Sequence, residues 1–491
     1  MKYILKAFFQ TSTASIVYLV MALLSNKVIA TVVGPVGTGI YSSWANFVMA
    51  GVSVATCFGA TAIVQGAASR EIENKKEFLH TSFRIILISS MLVVLFLNIL
   101  AVPITQVLLK EVTPQSVLAT RFLSIHIVLQ AFVTFFISLL TIEKKYWQMA
   151  IISILAGICN FSFSWLISTS MLAGKLNIAS LYYIATYLGG FCTGLFFVYR
   201  NRLMHFFSFR LTGIKREYIK AFFRVAVINI YYVLLQQFYF LLILRKTIVY
   251  KEGLFELGVF SLVWNIQMSY VGIVLSSFSA YYLPTFANLR NIEEKKNFID
   301  NMFFITTLII VPVCIGLAVL KPFAISLMGS QEYFGGLNMM RWMIIGDFFK
   351  IAVWVLGTVA VASADFRNAI VLETVWYILF SISLFFYNRS VDTEVLGIGF
   401  MFAYILMFVA NLIYVKSKIG YTLKTKLFYL FFGGVLLVSI ASFITWNDHS
   451  VNWLKASICI GLSLVFVIIG VGKSKIWVLM KKENLLLLKE K

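Results

Sequence analysis

Charged residues are scarce in this sequence, and long polar segments are missing from it. Only 12% of its 491 residues are Asp, Glu, Lys or Arg and 60% are hydrophobic, whereas an ordinary soluble chain has about 25% and about 45–50%. A helix needs roughly 20 apolar residues to cross a bilayer, and some fourteen runs of this kind follow one another from Phe8 to Val471. The composition therefore excludes a soluble enzyme and predicts a polytopic membrane protein.

Enzyme motifs and paired cysteines are also absent. The sequence contains no P-loop, no GxSxG and no HExxH motif, and its five cysteines lie singly inside apolar runs. These absences exclude ATP hydrolysis by this chain and argue against a metal site or a disulfide. We therefore expect a transporter that is not an enzyme and that has no cofactor.

The apolar runs are predicted to be helices, because the period-2 alternation of a membrane β-barrel is absent. The fold class that follows is an all-α polytopic membrane protein with about fourteen transmembrane helices. The predicted spans are 8–32, 41–66, 81–109, 117–141, 147–170, 178–199, 220–245, 256–282, 298–319, 336–363, 366–387, 394–416, 427–445 and 453–471.

Basic residues are distributed asymmetrically along the chain. With the N-terminus inside, most of the 41 Lys and Arg residues lie at cytoplasmic ends and loops, above all in the segment 200–224 and in the tail after residue 472. This is the positive-inside rule, so the net charge of +21 is attributed to topology and not to nucleic-acid binding. We expect both termini to be cytoplasmic, and the basic loop could also hold anionic membrane lipids.

An internal repeat divides the chain. With a shift of 219 residues, Lys27, Gly34, Gly39, Ser42 and Asn46 fall on Lys246, Gly253, Gly258, Ser261 and Asn265. The glycines are expected in short loops, where they permit tight turns. The repeat predicts two six-helix halves, 1–210 and 211–418, around a central cavity, as in parallel-repeat transporters that work by alternating access. Residues 419–491 would form two extra helices and a basic cytoplasmic tail.

A few ionisable residues lie inside the predicted spans, where each costs roughly 2.5–3.5 kcal/mol on insertion scales unless it faces a cavity or a partner. Asp347 and Lys350 share a helix face and form either a substrate- or proton-linked pair in the cavity or a salt bridge that fixes packing. Lys27, Arg245 and Lys246 could supply positive charge for an anionic ligand. The alternative for these cations is snorkelling to the interface.

Two further residues are candidates for proton or ion coupling together with Asp347. Glu373 lies inside predicted helix 11, and the alternative is a bond to Ser or Tyr on a neighbouring helix. His126 titrates near neutral pH when unperturbed, and the alternative is a hydrogen-bonded packing role. Arg367 lies six residues before Glu373, a spacing that does not place the two on one face. Arg341, near a helix end, is expected to snorkel.

These residues also carry a family resemblance. The chain resembles the Wzx-type polysaccharide flippases, which export O-antigen or enterobacterial common antigen lipid III units, of the multidrug/oligosaccharidyl-lipid/polysaccharide exporter superfamily. The resemblance covers helices 1 to 12, whereas the additional helices 13 and 14 depart from the family pattern. The segments that carry it are Val33–Gly39, Leu244–Lys246, Glu256–Gly258, Ser277–Thr285 and Gly346–Lys350, with Arg367 and Glu373.

The resemblance implies a function. An undecaprenyl-diphosphate-linked oligosaccharide would cross the bacterial inner membrane from the cytoplasmic to the periplasmic leaflet through a cationic cavity. The residues carried over by motif are Lys27, Asp347, Lys350, Arg367 and Glu373. Coupling to a H⁺ or Na⁺ gradient is left open, and the partners implied are membrane lipids, a glycan polymerase and a chain-length regulator, with the flippase itself a monomer.

Two other functions stay open on the sequence. A multidrug/cation antiporter of the same superfamily would favour several unpaired carboxylates in the spans, and acids are few here. A non-transport membrane component of a glycan synthesis complex would have no use for buried charges. An embedded polymerase or ligase would need a large outer loop, which is absent.

Overall fold

The computed structural model describes residues 2–68, 74–207, 215–289, 291–363, 365–389, 392–446 and 448–472. Helices dominate these ranges, and no strand occurs within them. The predicted all-α membrane architecture is confirmed. Arg210 of the basic loop and the basic tail from Lys473 onward lie outside the described residues.

Sixteen α-helices follow one another in the described part of the chain. They are α1 Lys2–Ala55, α2 Ala60–Ala68, α3 Lys75–Ile99, α4 Ala101–Leu109, α5 Pro114–Ile142, α6 Tyr146–Leu172, α7 Leu176–Arg200, α8 Arg216–Val233, α9 Lys246–Glu252, α10 Leu254–Asn288, α11 Ile292–Met328, α12 Leu337–Ala362, α13 Phe366–Arg389, α14 Glu394–Ile419, α15 Thr425–Ile444 and α16 Trp453–Gly472. A π-helical segment, Leu234–Arg245, joins α8 to α9.

Eleven helical segments among the described residues are long and apolar enough to cross a membrane. One of them lies in α1, which a kink at Gly34 divides into two parts of spanning length. Two more segments of spanning length are the continuous run 216–252 and α10. Fourteen spanning segments result, as the sequence predicts.

The first predicted loop is wrong, because α1 continues through residues 34–40. Gly34 alone has a non-helical conformation, with φ 63° and ψ −165°, and Pro35 restarts the helix. Proline is well suited to the first turn of a helix, since its fixed φ is helical and its missing N–H has no partner there. The chain therefore bends sharply at one residue and needs no loop.

The chain forms two compact units, Met1–Leu262 with Met328–Glu332, and Val263–Leu327 with Tyr333–Lys491. Aromatic rings such as Phe83 and Phe135, with centroids 5.4 Å apart, fill the core of the first unit. In the second unit Phe431 of α15 stacks on Phe408 and lies 5.0 Å from Phe348, so the extra helix α15 belongs to this core. The predicted repeat boundaries at residues 210 and 418 stay a prediction.

Candidate functional site

The two repeats share an unusual backbone conformation. Gly253 has φ 89° and ψ −172°, close to the values of Gly34, which lies 219 residues earlier. Side-chain-bearing residues rarely adopt a positive φ of this size. Both glycines immediately precede a helical segment, the second half of α1 in one case and α10 in the other. The structure therefore gives the two aligned glycines the same backbone conformation, and the division into two halves stays a prediction.

Within the first unit α1 crosses α10 in reciprocal contact. A Cβ at Gly39 would overlap the carbonyl oxygen of Leu254, and a Cβ at Gly258 would overlap that of Pro35. Pro35 and Leu254 are themselves separated by the repeat shift. Glycine is thus required at both positions, because the two backbones touch there.

The repeat-equivalent serines meet at the same crossing. The Oγ atoms of Ser42 and Ser261 are 2.9 Å apart, and both side chains are buried. Arg245, which is only 5% exposed, donates a hydrogen bond from Nη1 to the Ser42 Oγ at 2.8 Å. The Arg245 Nε has no hydrogen-bond partner among the described residues. Arg245 is therefore a buried cation and does not snorkel.

The other two predicted cations of this unit differ from each other. Lys27 is half-buried and donates from Nζ to the carbonyl oxygen of Gly329 at 2.8 Å. Lys246 is exposed, with Nζ 5.6 Å from the centroid of the Tyr250 ring. Their equivalent positions in the repeat therefore do not give them equivalent surroundings.

In the second unit the predicted salt bridge between Asp347 and Lys350 is not formed. Asp347 is fully buried, and its Oδ2 accepts a 2.6 Å hydrogen bond from Tyr270 of α10. Lys350 Nζ lies 3.1 Å from the sulfur of Met268 and 5.8 Å from the ring centroid of Tyr404. A shared helix face puts Asp347 and Lys350 in electrostatic range of each other. The direct hydrogen-bond partner of Asp347, however, is Tyr270 of α10.

The two remaining candidates of this unit have exposed side chains. Glu373 of α13 is in electrostatic range of Lys350 and Tyr404, so it lies beside the same group of residues. The alternative for Glu373, a bond to a serine or tyrosine on a neighbouring helix, is not among the described contacts. Arg367 lies in the first turn of α13. The described contacts include no ion pair between Arg367 and Glu373.

His126 lies in an aromatic stack of the first unit. Its ring centroid is 4.3 Å from that of Tyr183 and 4.4 Å from that of Tyr187. The side chain is completely buried, and neither ring nitrogen has a partner of good hydrogen-bond geometry in the part of the chain that the structure describes. His126 belongs to the first unit, and Asp347 and Glu373 belong to the second.

Sequence reasoning missed a buried ionic group in the second unit. Arg341 is only 3% exposed, so the expectation that it snorkels is wrong. Its Nη2 donates to Glu394 at 2.6 Å, and Trp342 Nε1 donates to the same carboxylate oxygen at 2.6 Å. Lys321, fully buried, donates to the carbonyl oxygen of Thr445 at 2.5 Å. A lysine in the middle of an apolar run was the available signal for Lys321.

Over the described residues, no group of His, Cys, Asp or Glu is arranged to hold a metal ion.

Comparison with known families gives a match over much of the chain. The sequence model of the family described as lipid II flippase MurJ matches residues 62–340, more than half of the 491 residues. The lipid III flippases of Escherichia coli (strain K12) and Shigella flexneri are each 25% identical to this chain over 133 residues. That alignment covers 27% of this chain and 32% of each relative, so it spans about a third of the relatives' length.

Solved structures share the fold at low sequence identity. One described as lipid II flippase MurJ in an inward closed conformation has a TM-score of 0.72 and 15% identity, covering 95% of this chain and 98% of that chain. An inward-facing multidrug resistance MATE family transporter of the MOP superfamily has a TM-score of 0.68 and 13% identity, covering 84% of this chain and 98% of that chain. At these identities the likeness establishes the fold alone.

Proposed function

This chain belongs to the lipid II flippase MurJ family, and from this membership we propose that it is a lipid-linked oligosaccharide flippase. Its substrate would be an undecaprenyl-diphosphate-linked glycan, moved from the cytoplasmic to the periplasmic leaflet by alternating access. The family match over residues 62–340 is the main support for the proposal. The matched range includes α10, which crosses α1, together with the π-helical segment and the start of α12.

The cations of the first unit supply the chemistry that such a substrate requires. A diphosphate is held by charge-assisted N–H donors, which bind it more strongly than neutral donors do. Arg245 is buried in a spanning segment and hydrogen-bonds a neutral serine, and half-buried Lys27 hydrogen-bonds a carbonyl oxygen. We assign Lys246 of the first unit to the same substrate-binding role, and Lys350 and Arg367 are the candidate substrate-binding cations of the second unit.

Ion coupling is the second part of the proposal. Asp347 is buried, and its Oδ1 lacks a hydrogen-bond partner among the described residues, which supports a site for H⁺ or Na⁺. Glu373 and His126 are the other coupling candidates. His126 is supported by its complete burial in the first unit.

Location and partners complete the proposal. We place this multi-pass protein in a bacterial inner membrane with both termini in the cytoplasm, as the distribution of basic residues predicts. It would act as a monomer in contact with membrane lipids and would hand its product to a glycan polymerase and a chain-length regulator.

Reconstitution tests the proposal. The protein is placed in liposomes that contain a fluorescent undecaprenyl-diphosphate-linked oligosaccharide, and a membrane-impermeant quencher measures the glycan in the outer leaflet. We expect protein-dependent flipping that falls at least tenfold in Lys27→Ala and in Arg245→Ala. Lys296→Ala, which removes a partly exposed cation paired with Glu293, is the matched control and should flip as the unchanged protein does. Flipping no faster than in protein-free liposomes would refute the proposal.

The alternative function is a multidrug/cation antiporter. It is favoured by the fold shared with the MATE transporter and by Asp347 and Glu373 in the second unit. The same liposomes, loaded with a cationic dye and given a pH gradient, distinguish the two. Export of dye without glycolipid flipping would replace the flippase by an antiporter, and movement of neither would indicate a non-transport role in glycan synthesis.

A further inference from the structure

The buried ionic group of the second unit carries more positive than negative charge. Its cations are Lys321 of α11, Arg341 of α12 and Lys455 of α16, and its anions are Glu394 and Asp448. Among the described residues, three cations against two carboxylates leave one positive charge. We propose that this group binds a small monovalent anion, such as chloride, between Lys321 and Arg341, which are in electrostatic range of each other.

A proline in α11 explains why the group forms at this place. Pro322 has no N–H, so the carbonyl oxygen of Ala318, four residues earlier, lacks its usual helical partner. Thr445, at the end of α15, donates from Oγ1 to that carbonyl oxygen at 3.1 Å. The carbonyl oxygen of Thr445 in turn accepts from Lys321 Nζ at 2.5 Å. The end of α15 is therefore held against α11 where the buried ammonium group lies.

Lys321 has no negatively charged partner among its described hydrogen bonds. The side chain is fully buried, and these bonds go to the carbonyl and hydroxyl oxygens of Thr445. The C-terminus of α15 supplies only about half a negative charge, and it also accepts from Lys455 through the carbonyl oxygen of Ile444 at 2.9 Å. A buried charge without a counter-charge is costly, so an anion beside Lys321 would stabilise the folded protein.

Arg341 supplies N–H donors for the same anion. Its side chain is only 3% exposed, and the guanidinium carbon lies 3.2 Å from the centroid of the Trp446 ring. Nη2 donates to Glu394, whereas Nε and Nη1 are buried without a hydrogen-bond partner among the described residues. Bonds from a charged donor to an anion are roughly twice as strong as neutral ones. Two donor nitrogens of Arg341 are therefore available to a ligand.

The carboxylates of the group do not take that place. One oxygen of Glu394 accepts from two side chains of α12, and Asp448 Oδ1 accepts from Lys455 at 2.7 Å. Asp448 Oδ2 is buried without a described partner, and it would repel an anion towards the other two cations. Asp392, the preceding acid in the sequence, is exposed to solvent and accepts from the Glu394 backbone N–H.

Charge and burial define the chemistry of the ligand. A divalent anion would change the net charge of the group from +1 to −1, so one negative charge fits best. A phospholipid headgroup is too large to reach Lys321 and Arg341, which are 0% and 3% exposed. A halide has one charge and accepts hydrogen bonds from any direction. Bound there, it would fasten the additional helices α15 and α16 to α11 and α12, whether or not the chain is a flippase.

The dependence of stability on chloride tests the site. The full-length protein in detergent is prepared in sodium gluconate, and gluconate is replaced stepwise by chloride at constant ionic strength. The melting temperature should rise by several degrees with the logarithm of the chloride concentration, because a ligand that binds only the folded protein stabilises it by mass action. A melting temperature that does not depend on chloride would overturn the site.

Two lysine variants separate binding from a general effect of salt. Lys321→Met removes the unpaired charge and should abolish the chloride response. In gluconate it should melt no lower than the unchanged protein, because no uncompensated cation remains. Lys296→Met, the same substitution at a partly exposed lysine paired with Glu293, is the matched control and should keep the full response. Salt effects on hydration act on both variants alike, so an undiminished response in Lys321→Met would overturn the site.

Iodide quenching gives the affinity and serves as the test if Lys321→Met does not fold. Bound iodide quenches tryptophan fluorescence by contact, and Trp446 lies against Arg341 with Trp342 5.6 Å away between ring centroids. Part of the quenching should be saturable and reversed by chloride. Arg341→Lys keeps a cation for Glu394 but removes the guanidinium donors, and it should raise the half-saturating iodide concentration at least fivefold. Quenching of the unchanged protein that is linear in iodide and insensitive to chloride would refute anion binding.

Discussion

At the scale of single residues, the partner of Asp347 decides what its substitution does. Tyr270 donates to it, and the carboxylate is buried. Asp347→Asn keeps an acceptor for Tyr270 and removes the charge, so we expect normal insertion and stability with at least a tenfold loss of transport. Asp347→Ala also leaves a buried hydroxyl without its acceptor, which costs about 1–3 kcal/mol. Thermal unfolding in detergent and the liposome assay separate the two effects, and equal transport by Asp347→Asn and the unchanged protein would contradict a coupling role.

Asp365 gives a pH-dependent contribution at the same scale. It lies between α12 and α13, outside the spanning segments, and hydrogen bonds from Lys418, then Asn368, lower its pKa to about 2. Because the folded-state pKa lies below the usual value of about 3.9, the stabilisation is complete above pH 4 and is lost as the pH falls towards 2.

Tryptophan fluorescence in detergent checks this expectation. The melting temperature of the unchanged protein should fall more between pH 5 and pH 2.5 than that of Asp365→Asn. Lys418→Ala should reduce the difference, because it removes the 2.6 Å hydrogen bond to Asp365 Oδ2. An identical fall in all three proteins would show that Asp365 does not contribute.

At the scale of helices, the ionic group around Glu394 fastens α14 to α12. Glu394 accepts from both Arg341 and Trp342, and the Arg341 guanidinium carbon lies 3.2 Å from the Trp446 ring centroid, beyond the end of α15. Removing one partner of a buried pair typically costs about 3–5 kcal/mol, because the other charge is left unpaired. We expect this loss of unfolding free energy in Glu394→Ala and partial recovery in Arg341→Met/Glu394→Ala.

A surface pair provides the control for that prediction. Glu293 and Lys296 form an exposed i,i+3 pair in the first turns of α11, and such pairs contribute about 0–1 kcal/mol. Glu293→Ala should therefore change the unfolding free energy far less than Glu394→Ala does. Similar losses in the two variants would mean that the Glu394 group contributes no more than a surface pair.

The helices also show how much of the structure can be predicted from sequence patterns. Hydropathy predicts the fourteen segments because each must bury its backbone polar groups in lipid, and the repeat alignment places Gly34 opposite Gly253 correctly. The kink without a loop at Gly34 was missed, since it depends on one φ angle. The i,i+3 rule puts Asp347 and Lys350 on one face, but only tertiary packing shows that Tyr270 of another helix takes the bond.

At the scale of the whole molecule, the fourteen segments and the distribution of basic residues predict a definite orientation. With the N-terminus inside, an even number of spans alternates the connections, so the α15–α16 connection faces outward and the α10–α11 connection faces inward. Asn452 and Glu294 mark these two connections, and both side chains are exposed. A membrane-impermeant maleimide added to intact cells should label Asn452→Cys and leave Glu294→Cys unlabelled.

Permeabilised cells and the unsubstituted protein complete that experiment. After permeabilisation both cysteine variants should be labelled to the same extent, which shows that Glu294→Cys is shielded by the membrane and not by the protein. The unsubstituted protein reports the background from native Cys192, the exposed cysteine of α7. Labelling of Glu294→Cys in intact cells would contradict the predicted orientation, with both termini in the cytoplasm.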